Sequence, residues 1–217
     1  MSKPGSQKTP PYIVVEGAIG VGKTSLAKRL ATSFNAALML EQAEENPFLE
    51  RFYRNPRAAA LPAQLFFLFQ RAKQLEALHQ QDLFAATHVL DYLFDKDRLF
   101  ARLNLDADEL DLYEKVYARL VLDIPRPDLV IYLQAPTDVL LERIARRGIG
   151  YEQQIERDYL ERLNNAYAGF FYDYRDAPLL IVNAAQADFV NREPDYQQLL
   201  AELGRVKPGR QYFNPAY

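Results

Sequence analysis

The segment VVEGAIGVGKTSLAKRL, residues 14–30, decides the fold of this chain. A short β-branched run stops at Gly17, four residues separate it from Gly22, and Lys23 and Thr24 follow. This spacing satisfies the pattern G-x-x-x-x-G-K-[ST], in which backbone N–H groups and the first turn of a helix surround a phosphate. The segment predicts a strand, a phosphate-binding loop (P-loop) and a helix, and with them a bound nucleoside triphosphate. A structural glycine turn is the alternative.

The loop residues are expected to share the binding of ATP, or of another nucleoside triphosphate, and of Mg²⁺. Lys23 should reach the β- and γ-phosphates and stabilise charge during transfer, and Thr24 should bind Mg²⁺. The predicted ATP-binding residues are Gly17, Ala18, Ile19, Gly20, Val21, Gly22, Lys23, Thr24 and Ser25.

The composition narrows the classes of protein. The 217 residues are 49% hydrophobic and 25% charged, as in an ordinary globular domain. A net charge of −3 argues against a nucleic-acid polymer as partner. The sequence has no cysteine, which excludes disulfides, thiolate metal sites and a cysteine nucleophile. The first 11 residues have no signal-peptide core, and the most apolar run is shorter than the about 20 residues that span a bilayer. We expect a cytoplasmic protein without membrane contact.

Apolar runs alternate with helical patterns along the chain. Strands are predicted at 12–16, 37–41, 87–91, 128–134 and 179–183, and helices at 24–34, 62–86, 96–104, 108–122, 137–147 and 155–174. The apolar runs are continuous, so both faces of the sheet should be covered. We predict an α/β fold with a five-stranded parallel sheet flanked by helices. A disordered lead (1–11) precedes a single domain (12–204), and an irregular tail (205–217) follows it.

Acidic residues close two of the predicted strands. Glu41 ends the second strand and Asp91 ends the third. Ligands of open α/β sheets bind beyond the carboxyl ends of the strands. We therefore expect Asp91 to hold Mg²⁺ and Glu41 to accept the proton of an attacking hydroxyl. For each acid, a helix N-cap or a solvated carboxylate is the alternative.

Arginines cluster in the segment LERIARRGIGYEQ, residues 141–153, just before Gly148. A helix that ends in arginines and a glycine hinge favours a lid that closes over phosphates, because phosphoryl transfer depends on charge stabilisation. A basic helix C-terminus stabilised by the helix dipole is the alternative.

The spaced motifs after the loop resemble one family. MLEQAEENPF, ERFYRNP, QLFFLFQR, LDYLFDKDR and GYEQQI resemble segments of the deoxynucleoside kinases, above all the bacterial deoxyadenosine/deoxyguanosine type. The resemblance covers residues 12–190. It implies a P-loop kinase fold with an arginine-bearing lid, an enzyme of nucleotide salvage, and a homodimer.

The resemblance also implies the roles of individual residues. Glu41 matches the general base for the 5′-hydroxyl, and Tyr53 and Glu152 match residues that bind the sugar 3′-hydroxyl. Gln64 and Arg71 match residues that read the base. The remaining matches are Asp91 for Mg²⁺, Asp97 as partner of the base-reading arginine, and Arg143 and Arg147 as catalytic lid arginines.

The chain departs from the family pattern after Asp91. Tyr92 and Leu93 stand where the family has Arg and Ser, so the arginine that helps to hold the 5′-oxygen is missing. We expect Arg98, Arg146 or another lid arginine to substitute for it.

These features favour a deoxynucleoside 5′-kinase for purine deoxynucleosides, with deoxycytidine as a further candidate. A nucleoside monophosphate kinase of the thymidylate-kinase type is the first alternative, but it needs a basic clamp where this chain has the acidic EQAEEN. A non-catalytic P-loop nucleotide-binding switch is the second. The guanine-reading N-K-x-D element of such switches is missing from the sequence.

Overall fold

A computed structural model describes residues 12–81, 87–120 and 125–215. Its elements are β1 Tyr12–Gly17, α1 Lys23–Phe34, β2 Ala37–Met39, α2 Leu49–Arg54, α3 Pro56–Gln81, β3 His88–Leu90, α4 Lys96–Asn104, α5 Ala107–Leu120, β4 Leu129–Gln134, α6 Thr137–Arg147, α7 Arg157–Asp173, β5 Leu179–Asn183, α8 Glu193–Leu203 and β6 Arg210–Phe213, with 3₁₀ turns at Ala43–Glu45 and Gly150–Gln154. The lead predicted to be disordered, and the ends predicted for the helices at 62–86 and 108–122, lie outside the described residues.

The strands form one parallel sheet in the order β2-β3-β1-β4-β5-β6. The predicted parallel, helix-flanked sheet is confirmed, but the prediction of five strands is wrong. The sixth strand comes from the tail predicted to be irregular, where Tyr212 pairs with Ile181 of β5. This strand lies at the sheet edge and Tyr212 is exposed, so it lacks the continuous apolar run of a central strand.

The central strands supply the main core. All residues of β1 are buried, and so are all of β4 except its last. Aromatic side chains of α7 cover one face: the rings of Tyr132 in β4 and Phe171 in α7 stack 4.1 Å apart. Within the described residues, no helix is long and apolar enough to cross a membrane.

The strand order brings three loops together at one edge. β1 lies between β3 and β4, and the chain leaves β1 towards β2 but leaves β3 towards β4. Connections that part in opposite directions open a crevice at the carboxyl ends of adjacent parallel strands. The loops after β1, β2 and β3 line this crevice.

Several helix boundaries differ from those predicted. α3 begins at Pro56 rather than at Pro62, since proline is well suited to the first turn of a helix. Pro62 lies inside this helix. α2 and α8 were not predicted. α6 ends at Arg147 as predicted, and Gly148 closes it with a φ of 72°.

Candidate active site

The loop between β1 and α1 adopts a backbone conformation that requires glycine. Gly17 has a φ of 151°, and a Cβ there would lie 2.5 Å from the carbonyl oxygen of Leu133. Lys23 folds back over the loop, and its Nζ donates to the carbonyl oxygens of Gly17 at 2.8 Å and Ala18 at 3.3 Å. Its ammonium group is thus held at the mouth of the loop, where a phosphate would replace the two carbonyls.

Two cavities meet at this loop. The first, the arginine cavity, has a volume of about 430 Å³ and lies between the loop, the end of α6 and residues 184–191. The second, the glutamate cavity, has a volume of about 840 Å³ and lies beyond the ends of β2 and β3. The residues that line both are Gly20, Lys23, Thr24, Ser25 and Arg147. The phosphate loop therefore forms the shared wall between the two cavities, and the cavities are in contact along it.

Asp91, just after β3, is linked to the segment after β2 and to the first turn of α1. Its Oδ2 accepts a hydrogen bond from Thr24 Oγ1 at 2.5 Å, and its Oδ1 accepts one from the backbone N–H of Glu41 at 2.7 Å. Within the described ranges, no group of three or more His, Cys, Asp or Glu residues could hold a metal by itself. Mg²⁺ at phosphoryl-transfer sites needs only one or two carboxylates beside substrate phosphates and water. The adjacent hydroxyl and carboxylate therefore fit Mg²⁺ bound together with a triphosphate.

The Glu41 carboxylate points into the glutamate cavity between two cations. Its Oε1 accepts from Arg71 and its Oε2 accepts from Lys96 Nζ at 3.0 Å. Burial alone would raise the pKa of Glu41, but the charges of Lys96, Arg71 and Lys23 outweigh burial and hold the pKa well below its ordinary value. Glu41 is thus ionised at neutral pH, with both oxygens oriented.

Arg71 connects Glu41 to a second buried acid. Its Nη1 donates to Asp97 Oδ1 at 2.7 Å, while Gln64 Nε2 donates to the backbone carbonyl of Asp97 at 3.3 Å. Gln64 and Arg71 line the glutamate cavity, but Asp97 lies behind Arg71, fully buried and off the cavity wall. Burial raises the pKa of Asp97 to about 6, against the opposing charge of Arg71.

The two residues matched to the sugar hydroxyl lie on the same cavity wall. The ring of Tyr53, in α2, stacks on that of Tyr151 at 6.1 Å between ring centroids. Burial raises the pKa of Tyr53 well above its ordinary value, and the charges of Tyr159 and Glu152 add to this effect. Glu152 itself is buried and pairs with Arg147. A phenol hydroxyl and a carboxylate are thereby placed near each other.

The three arginines near the end of α6, predicted to belong to a lid, have different surroundings. Arg143 donates to the carbonyl oxygens of Val21 at 3.2 Å and Ala184 at 2.8 Å, which ties α6 to the phosphate loop. Arg146 is exposed and lines the arginine cavity. Arg147 lines both cavities. All three arginines line the arginine cavity.

Arg98, one of the residues expected to substitute for the missing arginine, lines neither cavity, and its Nη2 pairs with Glu114 at 2.8 Å. Tyr92 is buried and donates its hydroxyl to the sulfur of Met39 at 3.3 Å. The cation beside Glu41 is Lys96, which sequence reasoning missed. A lysine between two aspartates in the first turn of a helix, in LFDKDR, was the available signal.

The wall after β5 was also missed. Residues 184–191 line the arginine cavity opposite Arg143. Their small and polar side chains carry no motif that marks a ligand site. Their place follows only from the sheet order, because β5 ends two strands away from the phosphate loop.

Comparisons with known proteins agree with this geometry. Residues 13–206 match the model of the family described as deoxynucleoside kinase. A deoxyguanosine kinase of Bacillus subtilis (strain 168) is 36% identical over 200 residues, which cover 90% of this chain and 97% of the relative. A deoxyadenosine kinase of Dictyostelium discoideum is 31% identical over 212 residues, 95% of this chain and 84% of the relative.

A solved structure has the same fold. It is a deoxyadenosine kinase from M. mycoides with dCMP and dCDP bound, with a TM-score of 0.78 at 25% identity over 89% of this chain and 99% of that one. These comparisons favour a deoxynucleoside kinase over a nucleoside monophosphate kinase and over a non-catalytic nucleotide-binding switch. The chain belongs to the deoxynucleoside kinase family, whose members transfer a phosphoryl group to a deoxynucleoside hydroxyl.

Proposed function

We propose that this enzyme transfers the γ-phosphoryl group of ATP, or of another nucleoside triphosphate, to the 5′-hydroxyl of a purine deoxynucleoside. The observation that carries the proposal is the shared wall of the two cavities. Lys23 and Thr24 line both, and the Glu41 carboxylate lies in one of them. A donor in the arginine cavity and an acceptor in the glutamate cavity would meet at the loop in the in-line arrangement that phosphoryl transfer requires.

The arginine cavity suits the donor. Lys23, Arg143 and Arg147 would neutralise the phosphate oxygens, which gain stabilisation as the γ-phosphoryl group separates. Thr24 and Asp91 would hold Mg²⁺, which would neutralise negative charge on the phosphates during transfer. Arg147 also lines the acceptor side, and its ion pair with Glu152 must open for it to reach a phosphate.

The glutamate cavity suits an uncharged acceptor. Its buried cations, Arg71 and Lys96, already face carboxylates. Glu41 would take the proton of the 5′-hydroxyl as the oxygen attacks the γ-phosphorus and the bond to the bridging oxygen breaks. The nucleoside diphosphate then leaves with that oxygen. Tyr53 and Glu152 would bind the 3′-hydroxyl from two sides.

The base would lie against Gln64 and Arg71. The glutamine amide offers a donor and an acceptor, and the guanidinium offers donors aimed by its bond to Asp97. Such a set suits a purine edge, and relatives that act on deoxyguanosine and deoxyadenosine support this choice. Deoxycytidine is a further candidate, since another similar protein is described as a deoxyadenosine/deoxycytidine kinase.

A phosphorylation assay tests the proposal. The purified protein is given ATP and Mg²⁺ with each of the four deoxynucleosides and, separately, with their 5′-monophosphates. We expect 5′-phosphorylation of deoxyguanosine or deoxyadenosine at the highest kcat/KM and no reaction with the monophosphates. Turnover of monophosphates alone would overturn the proposal. The homodimer stays a prediction, which light scattering on the same sample would test.

Base recognition is tested by Asp97→Ala. Loss of this carboxylate frees Arg71 to turn, so we expect competition among the four deoxynucleosides to show at least about a tenfold loss of purine preference. Asp95→Ala, a neighbouring acid that does not line the glutamate cavity, is the matched control. An unchanged base preference in Asp97→Ala would remove Asp97 from the recognition set.

A further inference from the structure

Lys96 is a buried lysine beside the reacting groups. It begins α4, its side chain is 3% exposed, and it lines the glutamate cavity. Its Nζ lies 3.0 Å from Glu41 Oε2 and 3.7 Å from Glu16 Oε2. A buried ammonium group is costly unless carboxylates compensate it. The two carboxylates therefore give this buried lysine the oppositely charged contacts that it needs.

Glu16 gives this lysine a rigid support. Glu16 is fully buried in β1 and accepts hydrogen bonds from the backbone N–H groups of Gly17 at 2.8 Å and Leu93 at 2.7 Å. The hydroxyl of Tyr167 donates to it at 3.0 Å. Glu16 is thereby fixed to the strand that carries the phosphate loop, and it holds Lys96 next to that loop.

Lys96 and Arg71 hold the Glu41 carboxylate from opposite ends. Arg71 binds one oxygen and is anchored on Asp97, while Lys96 binds the other and is anchored near Glu16. With a cation on each oxygen, rotation of the carboxylate about its axis is restrained. Lys96 contributes more than positive charge near Glu41, because Lys23 already supplies a cation at the loop.

We propose that Lys96 is a positioning residue for phosphoryl transfer, which orients the Glu41 carboxylate towards the acceptor hydroxyl. The inference rests on the proposed role of Glu41. Lys96 acts through Glu41 and takes no proton itself. Misplacement of a reacting group by about 1 Å costs about 100-fold in rate, so the loss of one anchor should be seen in kcat.

A double-mutant cycle on the full chain tests this. Lys96→Met, Glu41→Gln and the double variant are assayed with the best deoxynucleoside and ATP. We expect Lys96→Met to lower kcat about 30- to 100-fold while the deoxynucleoside KM stays within about threefold. In the Glu41→Gln background, the same change should cost less than about threefold, because its target is already lost.

Two further variants exclude a merely structural role. Lys96→Arg keeps the charge and should recover at least about a third of the lost logarithm of kcat. Arg98→Met removes the exposed cation two residues along α4 and should leave kcat at the parental value. The melting temperature of Lys96→Met shows whether this variant folds. If it does not, the cycle is run with Lys96→Gln, which keeps a hydrogen-bond donor without the charge.

The outcomes separate the two proposals. An active parent and an active Arg98→Met, together with full activity in Lys96→Met, overturn the positioning role alone. So does a loss in Lys96→Met that persists undiminished in the Glu41→Gln background. A parent that phosphorylates no deoxynucleoside overturns the proposed function and the role of Lys96 with it.

Discussion

The arginine cavity and the glutamate cavity hold their cations in opposite ways. Arg146 and Arg147 project from the exposed end of α6, and Arg143 is bound by backbone carbonyls. In the glutamate cavity, Arg71 and Lys96 are 5% and 3% exposed in their side chains, and each lies near two carboxylates. The arginines at the end of α6 are partly or fully exposed, whereas the cations of the glutamate cavity are buried, each between two carboxylates.

This difference matches two kinds of ligand. A triphosphate brings its own negative charge, which can replace the ion pair of Arg147 with Glu152 and the backbone contacts of Arg143. A neutral nucleoside brings none, so cations on its side would stay uncompensated unless the protein supplied carboxylates. Changes on the arginine side should therefore alter donor binding, and changes on the glutamate side should alter turnover, base choice and stability.

The largest effect is expected for Glu41→Gln. The amide keeps the shape of the side chain but cannot take a proton, so kcat should fall by about 10²–10⁴-fold while the deoxynucleoside KM changes little. Steady-state kinetics with varied deoxynucleoside would measure both. Glu44→Gln, in the same cavity but exposed, should keep the parental kcat. Near-parental turnover in Glu41→Gln would mean that another group accepts the proton.

An intermediate effect is expected for Arg143→Met on the other side of the loop. Loss of this cation should lower kcat/KM for the triphosphate by about 10²-fold, because a donor to the phosphates is removed. The KM for the deoxynucleoside should stay within about threefold. Arg119→Met, an exposed arginine at the end of α5, serves as control. A change confined to the deoxynucleoside KM would contradict the division between the two cavities.

The arginine side was largely predictable from sequence, because its signals are local. The phosphate loop is defined by the spacing of Gly17, Gly22, Lys23 and Thr24, and the end of α6 by arginines followed by Gly148. Each signal lies within a dozen residues. Strand ends also placed Glu41 and Asp91 correctly at one edge, since parallel strands share the direction of their carboxyl ends.

The glutamate side was only partly predictable, because its charges pair over long separations. Lys96 meets Glu16 from 80 positions earlier and Glu41 from 55 positions earlier. No spacing rule connects these residues. The pairing of Asp97 with Arg71 was expected from the resemblance, but the full burial of Asp97 off the cavity wall was not. Edge strand β6 was missed because none of its four residues is fully buried, so it shows no continuous apolar run.

The smallest effect concerns the stability of the glutamate side. Burial raises the pKa of Asp97 from its ordinary value of 3.8 to about 6, and Arg71 offsets this only in part. Between these pH values the folded chain keeps a proton that the unfolded chain releases. The stability that Asp97 contributes is therefore present at low pH and is lost as the pH rises through about 6.

Asp97→Asn removes this titration. Asparagine carries no charge to desolvate, so the variant does not lose this stability as the pH rises. From about pH 4.5 to about pH 7 its unfolding free energy should therefore increase relative to that of the parent. At about 1.4 kcal/mol per pKa unit, the expected gain is about 1–2 kcal/mol. Urea unfolding at several pH values measures it, with the exposed Asp111→Asn as control. If the unfolding free energy of the variant instead fell relative to that of the parent as the pH rises, the ion pair with Arg71 would outweigh burial in setting the pKa of Asp97. The glutamate cavity would then be stabilised by its ion pairs more than by the burial of its charges.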